Sequence, residues 1–182
     1  LKSSITPDGI LRLVLSNPDN HNVLSEEMMS NMQSSLDESI KTKQVRVIII
    51  SAVGPTFSAG HDLKELTKER QNSDKGKSYY KKIMTKCSNL MQAIVNNPKP
   101  VIAEINGTAT AAGCQLVASC DLAYASDKSK FATPGVNIGL FCSTPMVALS
   151  RVVNNKHSME MLLTGDFINA DNAKAIGLIN NY

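Results

Sequence analysis

The run Val45-Arg46-Val47-Ile48-Ile49-Ile50-Ser51-Ala52 limits this chain more than any other segment. It is apolar and β-branched almost throughout, it is closed by Gly54-Pro55, and it is shorter than a core helix. Such a run reads as a strand covered on both faces, which implies a parallel sheet with crossover helices. Val101-Ile102-Ala103-Glu104-Ile105 repeats the pattern, with Asn106-Gly107 as its turn, and Leu122-Ala123-Tyr124-Ala125 returns as a third strand.

Helical periodicity fills the intervals. Ser25 is the N-cap of a helix with an acidic first turn, Glu26 and Glu27, and an apolar stripe of Met29, Met32, Leu36 and Ile40. Tyr80, Ile83, Met84, Cys87, Leu90, Met91 and Ile94 recur at the same spacing until Pro98-Lys99-Pro100 stops them. A strand over 10–15 precedes both and ends in the turn cluster Asn17-Pro18-Asp19-Asn20. Further helices are expected at 145–153, 158–163 and 170–176, with Gly177 as the C′ residue of the last. The order β, α, β, α, β predicts an α/β fold. With no repeat, low-complexity tract or linker in 182 residues, one domain over 1–182 is expected.

Composition removes several function classes. A net charge of +3, four Phe, four Tyr and no Trp suit an anionic small ligand but not a nucleic-acid footprint. No apolar stretch is long enough to span a bilayer. No leader pattern follows Leu1, so any targeting segment is expected outside these residues. Cys87, Cys114, Cys120 and Cys142 form no CxxC pair and read as reduced, buried thiols. His61 and Asp62 lack a third ligand nearby, so no metal site is expected.

Two glycine-containing loops follow strand ends and run into helices, Phe57 to Leu63 and Asn106 to Gly113. In open α/β sheets ligands collect there. Gly107 and Gly113 are one residue too far apart for a P-loop, and Cys114 stands where its lysine is required. No GxGxxG follows a strand, and Thr56 replaces the first glycine that a serine nucleophile elbow at Ser58 would need. What survives is a pair of backbone donors at loop-to-helix junctions, suited to a developing oxyanion.

Asn22-Val23-Leu24-Ser25, Phe57 to Leu66, Pro100 to Ala103, Asn106-Gly107, Gly113-Cys114-Gln115-Leu116 and Cys120-Asp121 together resemble the crotonase (enoyl-CoA hydratase/isomerase) superfamily, in the family's order from about Ile10 to Ile179. The resemblance implies a crotonase-like fold of repeated β-β-α units, acyl-CoA thioesters as ligands with CoA part of the substrate, no separate cofactor, and a mitochondrial location. It also implies C-terminal helices, expected beyond Tyr182, through which such chains form homotrimers or dimers of trimers.

By that resemblance the N–H groups of His61 and Ala112 hold the thioester carbonyl. Gln115 and Gly135 fall where hydratases carry the two glutamates that handle the water, so ordinary hydratase turnover is not expected. Lys64 and His21 belong near the CoA phosphates, and Val23, Ser58, Gly60, Thr110, Pro134 and Asn137 complete the substrate-binding set. Other readings stand beside these: the His61 imidazole as an idle loop side chain, Gln115 satisfying nearby backbone, Lys64 as a solvated charge. Asp62 reads better as the cap of the helix after it than as an acid, and Glu104, mid-strand, as one half of an ion pair.

Overall fold

A computed structural model describes residues 1–182. Three successive strand pairs set its architecture. β3 (Val47–Ala52) with β4 (Thr56–Ser58), β5 (Val101–Ile105) with β6 (Thr108–Thr110), and β7 (Leu122–Ala125) with β8 (Lys130–Ala132) each send one strand into either of two sheets before a helix follows. With β1 (Lys2–Ile5) and β2 (Ile10–Leu15), the larger sheet has the order β1-β2-β3-β5-β7. The smaller has the order β4-β6-β8-β9, closed by β9 (Ile168–Asn169). Pairing is parallel except at β1-β2 and β8-β9. This is the expected α/β arrangement of β-β-α units.

The helices begin where their capping chemistry puts them. The Ser25 hydroxyl accepts from the Met28 N–H at 3.1 Å and starts α1 (Glu26–Lys41). Met29, Met32 and Leu36 are buried, but Ile40 is 49% exposed and the inward line continues through Ser39. Spacings of three, four and three residues follow the 3.6-residue turn more closely than a second step of four. α2 (Leu63–Glu69) and α3 (Lys77–Val95) follow β4, and α4 (Ala112–Ser119) follows β6 with every residue buried. α5 (Ser143–Val152), α6 (Asn155–Thr164) and α7 (Ala170–Ala175) complete the chain, with Gly177 at φ +84° just past the last. No helix is long and apolar enough to cross a membrane.

The larger sheet corrects one expectation, because it buries a single face. Leu11, Leu13, Leu15, Ile48, Ile50, Val101, Ala103, Ile105 and Ala123 point into the core. On the other face Ile49 and Ile102 are half-buried and Glu104 is exposed, bound to Arg12 at 2.9 Å. A β-branched run therefore marked strand identity without two-sided cover. Glu104 is the predicted ion-pair member, and it stands on the outer face.

Candidate active site

Three loops are tied together at the carboxyl ends of β2, β4 and β6. Asn22, fully buried, donates through Nδ2 to the carbonyls of Val53 (2.9 Å) and Thr56 (2.7 Å), and its Oδ1 accepts from the Asn17 N–H (2.7 Å). The loop held in this way then grips the next one: Ala59 N–H donates to the His21 carbonyl and Leu24 N–H to the Gly60 carbonyl. Asn22 at φ +49° fits the known tolerance of asparagine for left-handed backbone. Asn22 stands in the Asn22-Val23-Leu24-Ser25 stretch that carries part of the family resemblance, with no role expected for it from sequence.

The second loop meets α4 backbone to backbone. A Cβ placed on Gly60, at φ +90°, would lie 2.9 Å from the Ala112 nitrogen, and one on Gly113 would lie 2.2 Å from the Ser58 carbonyl oxygen. Neither glycine can carry a side chain without moving main chain. Ser58 is buried and its hydroxyl accepts from the Gly60 N–H at 3.3 Å, while the Thr110 hydroxyl donates to the Ala59 carbonyl at 3.3 Å. No group in the chain takes up the His61 N–H. Ala112 is the first residue of α4, where an N–H has no partner within the helix. Two uncommitted donors thus stand where Gly60 touches α4, an arrangement able to polarise a carbonyl oxygen.

The positive-φ residue at this junction is Ala111, at φ +50° and ψ −122°. Ala111 is itself anchored, its N–H donating to the Ala132 carbonyl at 3.0 Å. The donor residue escapes strain because its neighbour carries it.

Gln115 lies one turn along α4 from Ala112, 6% exposed, and lines a groove between α3, α4 and α5. Its Oε1 is buried with no hydrogen-bond partner, so it does not satisfy nearby backbone. Gly135 sits in the 3-10 turn over 134–138 that follows β8, where a Cβ would fall 2.4 Å from the Leu140 carbonyl oxygen and 2.7 Å from the Cys142 sulfur. The space a longer side chain would need is filled. Burial raises the pKa of the Cys142 thiol, with the Gly135 N–H pulling the other way. Burial also raises Cys87 to about 11 and Cys114 to about 12, and all four cysteines are unpaired thiols.

The rim is polar. Lys64 Nζ donates to Asn20 Oδ1 at 3.2 Å, and the Thr56 hydroxyl lies 3.4 Å from Nδ1 of exposed His21. Asn20, His21, Thr56 and Lys64 therefore form one patch, with half-buried Val23 beside it. Asp62 is the cap of α2, accepting from the N–H groups of Lys64 and Glu65. The His61 ring has both nitrogens buried and unpartnered, and burial lowers its pKa, so it stays neutral. Pro134 opens the turn that holds Gly135, whereas Asn137 is exposed with its side-chain oxygen against Gly165.

The family profile described as Enoyl-CoA hydratase/isomerase matches residues 6–182. The chain is 53% identical over 180 residues to the mitochondrial enoyl-CoA hydratase domain-containing protein 3 of Rattus norvegicus, covering 99% of this chain and 58% of that protein. It is 55% identical over 173 residues to the Homo sapiens protein of the same name, covering 95% and 55%. The chain thus spans less than three fifths of these curated relatives. The crystal structure of the human protein superposes with a TM-score of 0.91 at 51% identity, over 99% of this chain and 69% of that one. An enoyl-CoA hydratase from Mycobacterium smegmatis superposes equally, at 44% identity over 99% and 68%. On the strength of this match and of the repeated strand-strand-helix frame, the chain belongs to the enoyl-CoA hydratase/isomerase family.

Proposed function

We propose that the protein binds acyl-CoA thioesters, with the thioester oxygen held by the N–H groups of His61 and Ala112. The observation that supports this reading is the close approach of Gly60 to the Ala112 nitrogen, which brings the loop carrying the His61 N–H against the start of α4. Donors fixed in this way favour negative charge on the oxygen and acidify the carbon beside the carbonyl without any side chain taking part. The polar rim of Lys64 and His21 suits the CoA phosphates. CoA belongs to the substrate, and the chemistry needs no separate cofactor.

Hydration of a double bond also needs a group that gives and takes protons. Gln115 has no exchangeable proton of that kind, Gly135 has no side chain and no room for one, and Glu104 is committed to Arg12 on the outer face. The reading is therefore a thioester-binding protein with weak or altered hydratase/isomerase-type activity in fatty-acid metabolism. A second reading, a non-catalytic acyl-CoA-binding scaffold, rests on the same two residues. The proposal extends to a mitochondrial location, the one printed in the relatives' names, and to a homotrimer or dimer of trimers, supported by exposed Ile138, Leu140 and Phe141 in one short segment.

Calorimetric titration with butyryl-CoA tests the reading, micromolar binding being expected. Absence of heat with this and longer acyl-CoA esters refutes it. Product analysis on bound crotonyl-CoA then separates the enzyme from the scaffold.

A further inference from the structure

The seven-residue helix α2 carries Lys64 yet buries none of its residues, and Leu63 is 61% exposed. A helix this short has little stability of its own, so its place is set by its neighbours. Glu65 is the hub. Its Oε2 accepts from the Glu26 N–H at 3.0 Å and from the Tyr79 hydroxyl at 3.2 Å, tying α2 to the first residue of α1 and to α3. Tyr80, the next residue of α3, donates through its hydroxyl to the Leu66 carbonyl at 2.9 Å.

Both bonds to Glu65 have a physical reason to persist. The Glu26 N–H opens a helix and has no partner within it, and a carboxylate there also meets the positive end of the sixteen-residue α1. Burial and the Glu65 carboxylate push the Tyr79 hydroxyl up to about 12, so it stays a donor. Asp62, by contrast, accepts from the Lys64 and Glu65 N–H groups inside α2 and ties the helix to neither neighbour.

Successive residues of a helix point about 100° apart, so the roll of α2 that turns Glu65 toward α1 and α3 also decides where Lys64 points. It points to the rim, where its Nζ donates to Asn20 Oδ1 at 3.2 Å beside His21. The His61 N–H does not depend on Glu65 in this way. Its loop is held by the Leu24 N–H on the Gly60 carbonyl at 2.7 Å and by the approach of Gly60 to the Ala112 nitrogen. Resting on the acyl-CoA reading above, we propose that Glu65 is a positioning residue for Lys64: by joining α2 to the start of α1 and to Tyr79, it fixes the roll of α2 and aims the Lys64 ammonium at the CoA phosphates.

The test measures butyryl-CoA affinity by calorimetry in Glu65→Gln and Glu65→Ala, each with Lys64 in place and each combined with Lys64→Ala. Both variants lack the carboxylate charge, but glutamine keeps an oxygen able to accept from both partners, so the difference between them reads the hydrogen bonds alone. Glu65→Ala is expected to bind roughly two- to fivefold more weakly than Glu65→Gln, and the two are expected to match once Lys64 is replaced, because residues that act through one another do not add. A role in stability alone would leave the same difference in both backgrounds. Equal affinities with Lys64 in place, or a difference that persists without it, overturn the inference while leaving the acyl-CoA reading intact. If wild-type protein binds no acyl-CoA ester, both fall. Should Glu65→Ala not fold, Tyr79→Phe, which removes one of the two bonds, takes its place: a smaller weakening against wild type that disappears with Lys64→Ala is the expected result, and unchanged affinity or a weakening indifferent to Lys64 overturns the inference.

Discussion

Replacing Gly135 by alanine should destabilise the protein through a single contact. The added Cβ would sit 2.4 Å from the Leu140 carbonyl oxygen, 0.6 Å inside the 3.0 Å that real Cβ atoms observe, and 2.7 Å from the Cys142 sulfur. The carbonyl cannot retreat freely, because the Leu140 N–H donates to the Gly135 carbonyl at 2.9 Å and closes the same turn. Backbone conformation is not the obstacle, since the φ of Gly135 lies outside the left-handed region. Overpacking of this sort costs about 1–3 kcal/mol, which for a domain of this size lowers Tm by roughly 2–12 °C. Thermal melts of Gly135→Ala and, as control, Gly139→Asn provide the assay. Gly139 is left-handed at φ +73° with nothing within 4 Å of its added Cβ, so asparagine there should change little. Adding Cys142→Ala should rescue Gly135→Ala only in part, as the nearer atom is main chain. A Gly135→Ala protein melting within about 1 °C of wild type would refute the steric argument. The same contact predicts that Gln115→Glu with Gly135→Glu gains no hydratase activity, even though it supplies both carboxyl groups.

Wild-type protein should hydrate crotonyl-CoA at least ~10³-fold more slowly than a relative with two glutamates, read by loss of enoyl absorbance; a comparable rate would mean that another group carries the proton. Lys64→Ala should weaken butyryl-CoA binding roughly two- to fivefold, as an exposed charge pair does, and unchanged affinity would take Lys64 out of the site. Ala111→Gly should raise stability or leave it level, because relief of the strain at φ +50° is offset by the greater freedom of glycine in the unfolded chain; a clear loss of stability would show that the strain is absent. The His61 pKa is lowered from 6.5 by burial, so the unfolded chain binds this proton more readily than the folded one. Its contribution is complete above the unfolded value and is lost as pH falls below about 6.5, so urea midpoints should drop from pH 7.5 to 5.5, and less steeply in His61→Gln.

The long elements were readable because their patterns are long. Four consecutive β-branched residues, a capping serine followed by two glutamates, and helical spacing sustained from Tyr80 to Ile94 identified β3, α1 and α3. The smaller sheet escaped altogether. Its strands have two or three residues, too few for alternation to show, and Thr108-Ala109-Thr110 looks like a turn until β4 and β8 pair with it. At the candidate site the loops and Asp62 were legible, the latter because capping is local chemistry. The strain at Ala111, the grip of Asn22 and the crowding at Gly135 depend on groups distant in sequence, and nothing in the adjoining residues announces them.

The meeting of Gly60 with the Ala112 nitrogen, and of Gly113 with the Ser58 carbonyl, ties the placement of the two N–H groups to backbone packing that requires no Cβ at either glycine and no side chain at 115 or 135. Substitutions at 115 or 135 can abolish or redirect proton chemistry without shifting either donor. On the acyl-CoA reading proposed above, the backbone donors and the side chains at 115 and 135 therefore have separate tasks, the first to hold a carbonyl and the second to decide what happens to it. A protein built in this way can lose one reaction and keep its ligand, and it is a natural starting point for installing a different reaction on the same thioester.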